Sequence, residues 1–216
     1  MEDLQNYLNT IRRDFSDQPL NQHSVDAHPL TQFGRWFEEA VNAQILDPYA
    51  MSLSTVNTEG QPSNRIVYLR NVNEEGFVFY TNYKSRKAHH IQHNDKVALT
   101  FFWAEIDRQI RIEGVVKKMS KERSDIYFAQ RPRESQIGAW ASPQSTTIKS
   151  REELEELVTF YTQKFNNSEV YRPLHWGGYT VVPHFYEFWQ GRPNRLHDRL
   201  TYTKEGKKWS LNRLAP

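Results

Sequence analysis

Ala50-Met51-Ser52-Leu53-Ser54-Thr55-Val56, Arg65-Ile66-Val67-Tyr68-Leu69-Arg70 and Phe77-Val78-Phe79-Tyr80-Thr81 are three apolar-rich stretches in quick succession. Asn57-Thr58-Glu59-Gly60 separates the first pair and Asn73-Glu74-Glu75-Gly76 the second. Short β-prone runs with Asn/Gly turns between them predict antiparallel hairpins. The pattern repeats downstream. Val97–Trp103 and Gln109–Lys118 read as another hairpin, and Gly177–Val182, Phe185–Trp189, Arg195–Thr203 and Lys208–Arg213 as the last strands, with Gly206 turning the final pair.

Helices fall between these strands. A short helical pattern covers Leu4–Phe15. Leu30, Phe33, Phe37, Ala40, Val41 and Ile45 share one face of a predicted helix over 30–46, stopped by Asp47-Pro48. Ser85 is a predicted N-cap for a helix to about Asn94. Ser120 and Glu122 open one to Gln130, which Pro132 ends. Ser150-Arg151-Glu152-Glu153 is a capping box for a helix to about Phe165. Strands do not alternate regularly with long helices, which argues against a doubly wound sheet. The fold class expected is α+β, mainly β with inserted helices, its short strands rolled into a closed or nearly closed barrel. Residues 1–28 form a flexible or helical N-terminal segment and 29–216 the principal domain.

Composition narrows the function. The chain has 216 residues and a formal net charge of +2, so bulk charge gives no case for a nucleic-acid partner. It has no cysteine, which excludes disulfides, thiolate metal sites and a cysteine nucleophile. No apolar run reaches the ~20 residues of a membrane helix, and Met1-Glu2-Asp3-Leu4 does not begin a secretory signal. A cytoplasmic protein is expected, with no membrane partner. Glycine-rich phosphate loops, HExxH and GxSxG are absent, and no metal site is expected.

Basic clusters remain. Ser85-Arg86-Lys87 stands at a predicted helix start, where unpaired N–H groups and the dipole favour an anion. Arg65 and Arg70 bracket a strand but, five residues apart, fall on opposite faces of a regular one. Arg131-Pro132-Arg133-Glu134-Ser135 follows a helix bearing Tyr127, and Gln144-Ser145-Thr146-Thr147 is a polar loop. Were 194–202 a strand, Arg195, His197 and Arg199 would share a face flanked by Trp189, and three such donors are costly to desolvate without a polar ligand. Several anion clusters, many aromatics and few acid/base candidates suit an enzyme whose cofactor carries the reaction.

Those clusters, together with Trp176-Gly177-Gly178, Glu187-Phe188-Trp189-Gln190-Gly191 and the terminal Arg213-Leu214-Ala215-Pro216, closely resemble the pyridoxamine/pyridoxine 5′-phosphate oxidases. The resemblance runs in order from about residue 28 to the C-terminus. It implies a split β-barrel of the FMN-binding type, a homodimer, and oxidation of pyridoxamine 5′-phosphate and pyridoxine 5′-phosphate to pyridoxal 5′-phosphate with O2 as acceptor and H2O2 as product. It implies that Arg65, Ile66, Val67, Tyr68, Leu69, Arg70, Tyr80, Thr81, Arg86, Lys87, Gln109, Trp189 and Arg199 surround FMN, with Gln144 and Ser145 coming from the partner chain. On the substrate it places Arg12, Arg70, Tyr127, Arg131, Ser135, Arg195, Leu196 and His197, with Arg195 and His197 over the pyridine ring as the catalytic pair. Two departures stand out: Arg70 replaces the family's usual Lys, and Phe15 replaces the Tyr of an Arg-x-x-Tyr segment that begins at Arg12. The competing reading is a non-catalytic split-barrel protein that binds flavin or pyridoxal phosphate.

Overall fold

A computed structural model describes residues 1–216, apart from the side chain of Glu2. The elements run α1 (Glu2–Thr10), α2 (Pro29–Asn42), β1 (Ala50–Val56), β2 (Pro62–Tyr68), β3 (Asn71–Asn73), β4 (Gly76–Asn82), α3 (Arg86–His93), β5 (Lys96–Trp103), β6 (Arg108–Lys118), α4 (Lys121–Ala129), α5 (Arg133–Ala141), α6 (Arg151–Lys164), β7 (Trp176–Gln190), β8 (Asp198–Glu205) and β9 (Lys208–Leu214). Hydrogen-bonded neighbours follow the order β2-β1-β5-β6-β7-β4-β3, with β8 on β7 and β9 on β8. The expected mainly-β fold with inserted helices holds, but the barrel does not close, since β2 and β3 end the path. Both ends suit an edge. β3 is three residues long, and β2 starts at Pro62 and alternates exposed with half-buried positions.

The chain forms two compact units, and β5, β6 and β7 run from one into the other. One comprises 49–100 and 112–184. Its β1 pairs with β2 in the register Leu53↔Arg65, and β4 pairs with β7 in the register Tyr80↔Gly178. Alternate residues of β1 (Met51, Leu53) and most of β4 (Phe77, Val78, Phe79) are buried. The other unit comprises 1–48, 101–111 and 185–216. There α2 buries Phe33 and Trp36; Trp36 meets Phe188 edge-on at 5.2 Å and Phe33 meets Phe101 at 5.2 Å. β8 pairs with β7 on one side and β9 on the other.

Several boundaries differ from expectation. α1 ends at Thr10, because the chain is extended from Ile11. α2 stops at Asn42, and Gln44 and Asp47 take positive φ beyond it. The two strands expected over 177–189 are one, β7, with Pro183 between the segments paired to β4 and β8, where it interrupts neither ladder. Pro132 ends one helix and also N-caps another, α5, which was not expected. The strand expected over 194–202 begins only at Asp198. Pro193 starts a 3-10 turn in which Asn194 (φ 58°) and Arg195 (φ 61°) are left-handed, so 195, 197 and 199 do not share a strand face.

Candidate active site

In the first unit, β2 (Arg65, Ile66, Val67, Tyr68), Arg70 beyond it, β4 (Tyr80, Thr81), α3 (Lys87), α4 (Tyr127), Arg131, Gln144 and Trp176 line one cavity of about 360 Å³. The regular-strand argument that parts Arg65 from Arg70 fails because β2 ends at Tyr68. None of the lining residues is acidic.

The polar floor is built from three local structures. Arg65 lies across β1: its Nη1 donates to the Leu53 carbonyl (2.9 Å) and Thr55 Oγ1 (2.7 Å), and its Nη2 to Ser63 Oγ (2.7 Å). Ser85 caps α3 by accepting from the Ala88 N–H, which fixes the first turn that carries Lys87. Lys87 Nζ donates to Gln144 Oε1 (2.9 Å), Thr81 Oγ1 (3.1 Å) and Ser85 Oγ (3.3 Å). Thr81 also donates to Gln144 Oε1 at 3.0 Å, so Gln144 reaches the cavity from its own chain, whereas the resemblance implies the partner.

The wall is aromatic. Tyr80 stacks on Tyr127 (3.7 Å between centroids, 6° between planes) and on Trp176 (5.4 Å, 10°). Arg131 lies over the Trp176 ring at 4.4 Å. Trp176 had no role assigned from sequence, although it stands in one of the quoted motifs. The following residue must be small: a Cβ on Gly177 would collide with the Tyr83 hydroxyl end.

The charge balance points to an anion. Burial, then Arg65, pushes the Lys87 ammonium down to about 8. Burial, then Arg86, lowers Arg65. Arg131 is lowered mainly by burial, with Tyr127 opposing and Arg70 adding to the fall, and its Nη1 is buried without a hydrogen-bond partner. Converging, partly desolvated cations with no lining carboxylate are costly unless an anionic ligand meets them. An orphaned guanidinium nitrogen beside stacked rings fits a ligand that is both planar and phosphorylated.

Other expected residues of this unit lie off the cavity wall. Leu69 is buried, Arg86 is exposed on the first turn of α3, Ser145 is exposed at φ 70°, and Ser135 is half-buried in the first turn of α5.

Gln109, Trp189, Arg195, Leu196, His197, Arg199 and Arg12 belong to the second unit. There Phe15, Trp189 and His197 form a ring cluster: Phe15 meets His197 edge-on at 5.0 Å and Trp189 at 5.7 Å, and Trp189 lies 4.6 Å from His197. His197 Nδ1 accepts from the Arg192 N–H at 3.1 Å, which leaves the proton on Nε2. Burial, then Arg195, lowers the imidazole, so it is neutral at pH 7. Arg195 is exposed and borders a second cavity with Arg12, Arg13, Asp14, Phe15 and Asn194. Arg199 grips the buried Glu187 through Nε (2.8 Å) and Nη2 (3.1 Å), and Arg111 adds a third contact at 3.0 Å. Gln109 is half-buried on β6, and Leu196 is 68% exposed.

Residues 37–159 match the family model described as pyridoxamine 5′-phosphate oxidase, and 176–216 match the one described as pyridoxine 5′-phosphate oxidase C-terminal dimerisation region. The chain belongs to the pyridoxamine 5′-phosphate oxidase family. Curated relatives named pyridoxine/pyridoxamine 5′-phosphate oxidase include one from Cyanothece sp., 50% identical over 97% of this chain and 98% of its own. Another, from Haemophilus influenzae, is 50% identical over 97% and 99%. Among solved structures, PhzG from Burkholderia lata in complex with tetrahydrophenazine-1-carboxylic acid covers 93% of this chain and 100% of its own, with TM-score 0.87 and 27% identity. An FMN-binding protein of Nostoc punctiforme shares the fold, with TM-score 0.70 and 16% identity over 89% and 100%. Family membership brings a flavin cofactor and oxidoreductase chemistry, and the dimerisation region brings a homodimer. No helix is long and apolar enough to cross a membrane among the described residues.

Proposed function

We propose that this protein is an FMN-dependent oxidase that converts pyridoxamine 5′-phosphate and pyridoxine 5′-phosphate to pyridoxal 5′-phosphate in the cytoplasm. The observation that carries the reading is the convergence of Arg65, Lys87, Arg70 and Arg131 on one cavity without an acidic lining residue, in a chain of this family. When bound, FMN supplies a hydride acceptor for the substrate 4′ carbon, and O2 takes the two electrons and two protons as H2O2.

The chain's own residues bind and orient. Arg65 and Lys87 hold one phosphate against the first turn of α3, and Thr81 and Gln144 position the Lys87 ammonium by accepting from it. Arg131 and Tyr127, with Arg70, hold the phosphate of the second ligand, with Ser135 in the first turn of α5 beside them in sequence. Arg195 and His197 cover the substrate ring, where a neutral His197 with its proton on Nε2 donates one hydrogen bond. Most of the rate gain is proximity: two anchored phosphates leave the rings little freedom. Gln109, Trp189 and Arg199 complete the flavin surroundings. For Arg199 the support is orientation, because its guanidinium is committed to Glu187.

Purified protein should be yellow, bleach when pyridoxine 5′-phosphate is added without air, and release H2O2 when air returns. A sample that takes up FMN but is never reduced by either substrate would instead support the non-catalytic binder.

A further inference from the structure

Behind the cavity floor a buried hydrogen-bonded chain runs from the lining residue Arg65 to Thr55 and His90, which do not line the cavity. Thr55 on β1 is fully buried, and its Oγ1 receives Arg65 Nη1 at 2.7 Å. On its other side Oγ1 lies 3.1 Å from Nδ1 of His90, which is 7% exposed on α3. An arginine N–H can only donate, so Thr55 Oγ1 accepts from Arg65, and the single hydroxyl proton is free to point at His90. That arrangement needs an acceptor nitrogen, hence a neutral ring with Nδ1 unprotonated.

The surroundings favour the neutral ring that this arrangement requires. Burial lowers His90 most, then Arg86 on its own helix and Arg65 on β2; the Thr55 backbone opposes, and His89 adds a small further fall. These are the charged and titratable groups that act on it from α3, β1 and β2. Neither Thr55 nor His90 lines the cavity.

We propose that His90 and Thr55 are positioning residues for anion binding: His90 orients the Thr55 hydroxyl, Thr55 holds the Arg65 guanidinium, and Arg65 thereby meets the FMN phosphate. The inference rests on the reading of the cavity as an FMN site. An unrestrained arginine side chain has several rotatable bonds, and fixing its guanidinium beforehand removes part of the ordering cost of binding. The effect therefore falls on the phosphate and not on the isoalloxazine.

The test compares FMN with riboflavin, which lacks the phosphate, by quenching of flavin fluorescence in the apoprotein. His90→Leu removes the acceptor, and His90→Gln restores one through its amide oxygen. Thr55→Val and Thr55→Ser repeat the contrast at the middle link, and decide the matter if the leucine variant does not fold. The expected result is an FMN Kd raised about tenfold in His90→Leu and Thr55→Val. Riboflavin binding should be unchanged, and Gln and Ser should return the FMN value to within about twofold. Equal FMN affinity in all four variants would overturn the proposal. So would parallel loss of FMN and riboflavin, or a glutamine variant as weak as the leucine one. Failure of the wild-type protein to bind FMN at all would instead sink the functional reading.

Discussion

A lysine that three neutral oxygens surround and an arginine crowds is a sensitive reporter of what the cavity holds. Lys87 is pushed down to about 8 by burial and by Arg65, so the free protein loses this charge as pH rises through that value. A bound phosphate would favour the ammonium and lift its pKa. Binding must then take up protons, and FMN affinity must fall with rising pH between about pH 7 and 9. Calorimetry in buffers of different ionisation enthalpy would detect that uptake, and Lys87→Arg, always charged, should lose it. A flat affinity profile for the wild type would mean that the anion sits elsewhere. Arg195 calls for the opposite kind of outcome. It is exposed at a positive φ beside Phe15 and borders a different cavity from the one Lys87 lines, so Arg195→Gln should lower kcat/KM by about tenfold or more with FMN retention intact. Equal loss of turnover and FMN would place it on the wrong ligand. At this scale the sequence singled out Arg65, Arg70, Lys87 and Arg131, the cations that the structure gathers on one cavity. It did not reveal His90 or Thr55, because nothing local distinguishes a buried hydrogen-bonded histidine from the seven others.

Helix caps were the elements most legible in the sequence, because a cap is a contact across three residues. Ser85, Ser120 and Ser150 all accept from the N–H three positions on. Departures arose where distant structure or a special φ overrode local pattern. Pro132 read as a stop and proved also to be the entry to α5, while 194–202, read as a strand, opens on two left-handed residues, Asn194 and Arg195. Ser85 permits a clean separation of roles. Ser85→Ala removes the cap of α3 and one acceptor of Lys87, and should cost about 1 kcal/mol, read as a lower melting temperature. Ser85→Asp keeps a capping oxygen and adds a negative charge beside Lys87. It should melt near the wild type yet bind FMN markedly more weakly than riboflavin relative to the wild type. If the aspartate variant held FMN normally, the first turn of α3 would be a structural cap and not part of the phosphate site.

The assembly of the site was the least legible part, since the cavity draws on β2, β4, α3, α4, Gln144 and Trp176, which are scattered along the chain. Composition excluded the wrong classes, and motif order supplied the family, but no periodicity could report that these elements converge or that the sheet stays open. The C-terminus makes the same point about long-range order. β9 pairs with β8 from Arg199↔Leu214 to Glu205↔Lys208, and Arg213 Nη2 donates to the Leu20 carbonyl at 2.7 Å while its Nη1 pairs with Asp198. Arg199 also donates to the Ala215 carbonyl at 2.9 Å. Ending the chain after Gly206 would remove that ladder and expose the β8 edge within the family's dimerisation region. Such a chain should sediment as monomer or aggregate and fail to retain FMN. Arg213→Ala leaves the ladder in place and should remain a dimer, less stable by about 1 kcal/mol. A truncated chain that still sedimented as a yellow dimer would show that β9 is dispensable, and that β8 and the end of β7 carry the dimerisation region by themselves.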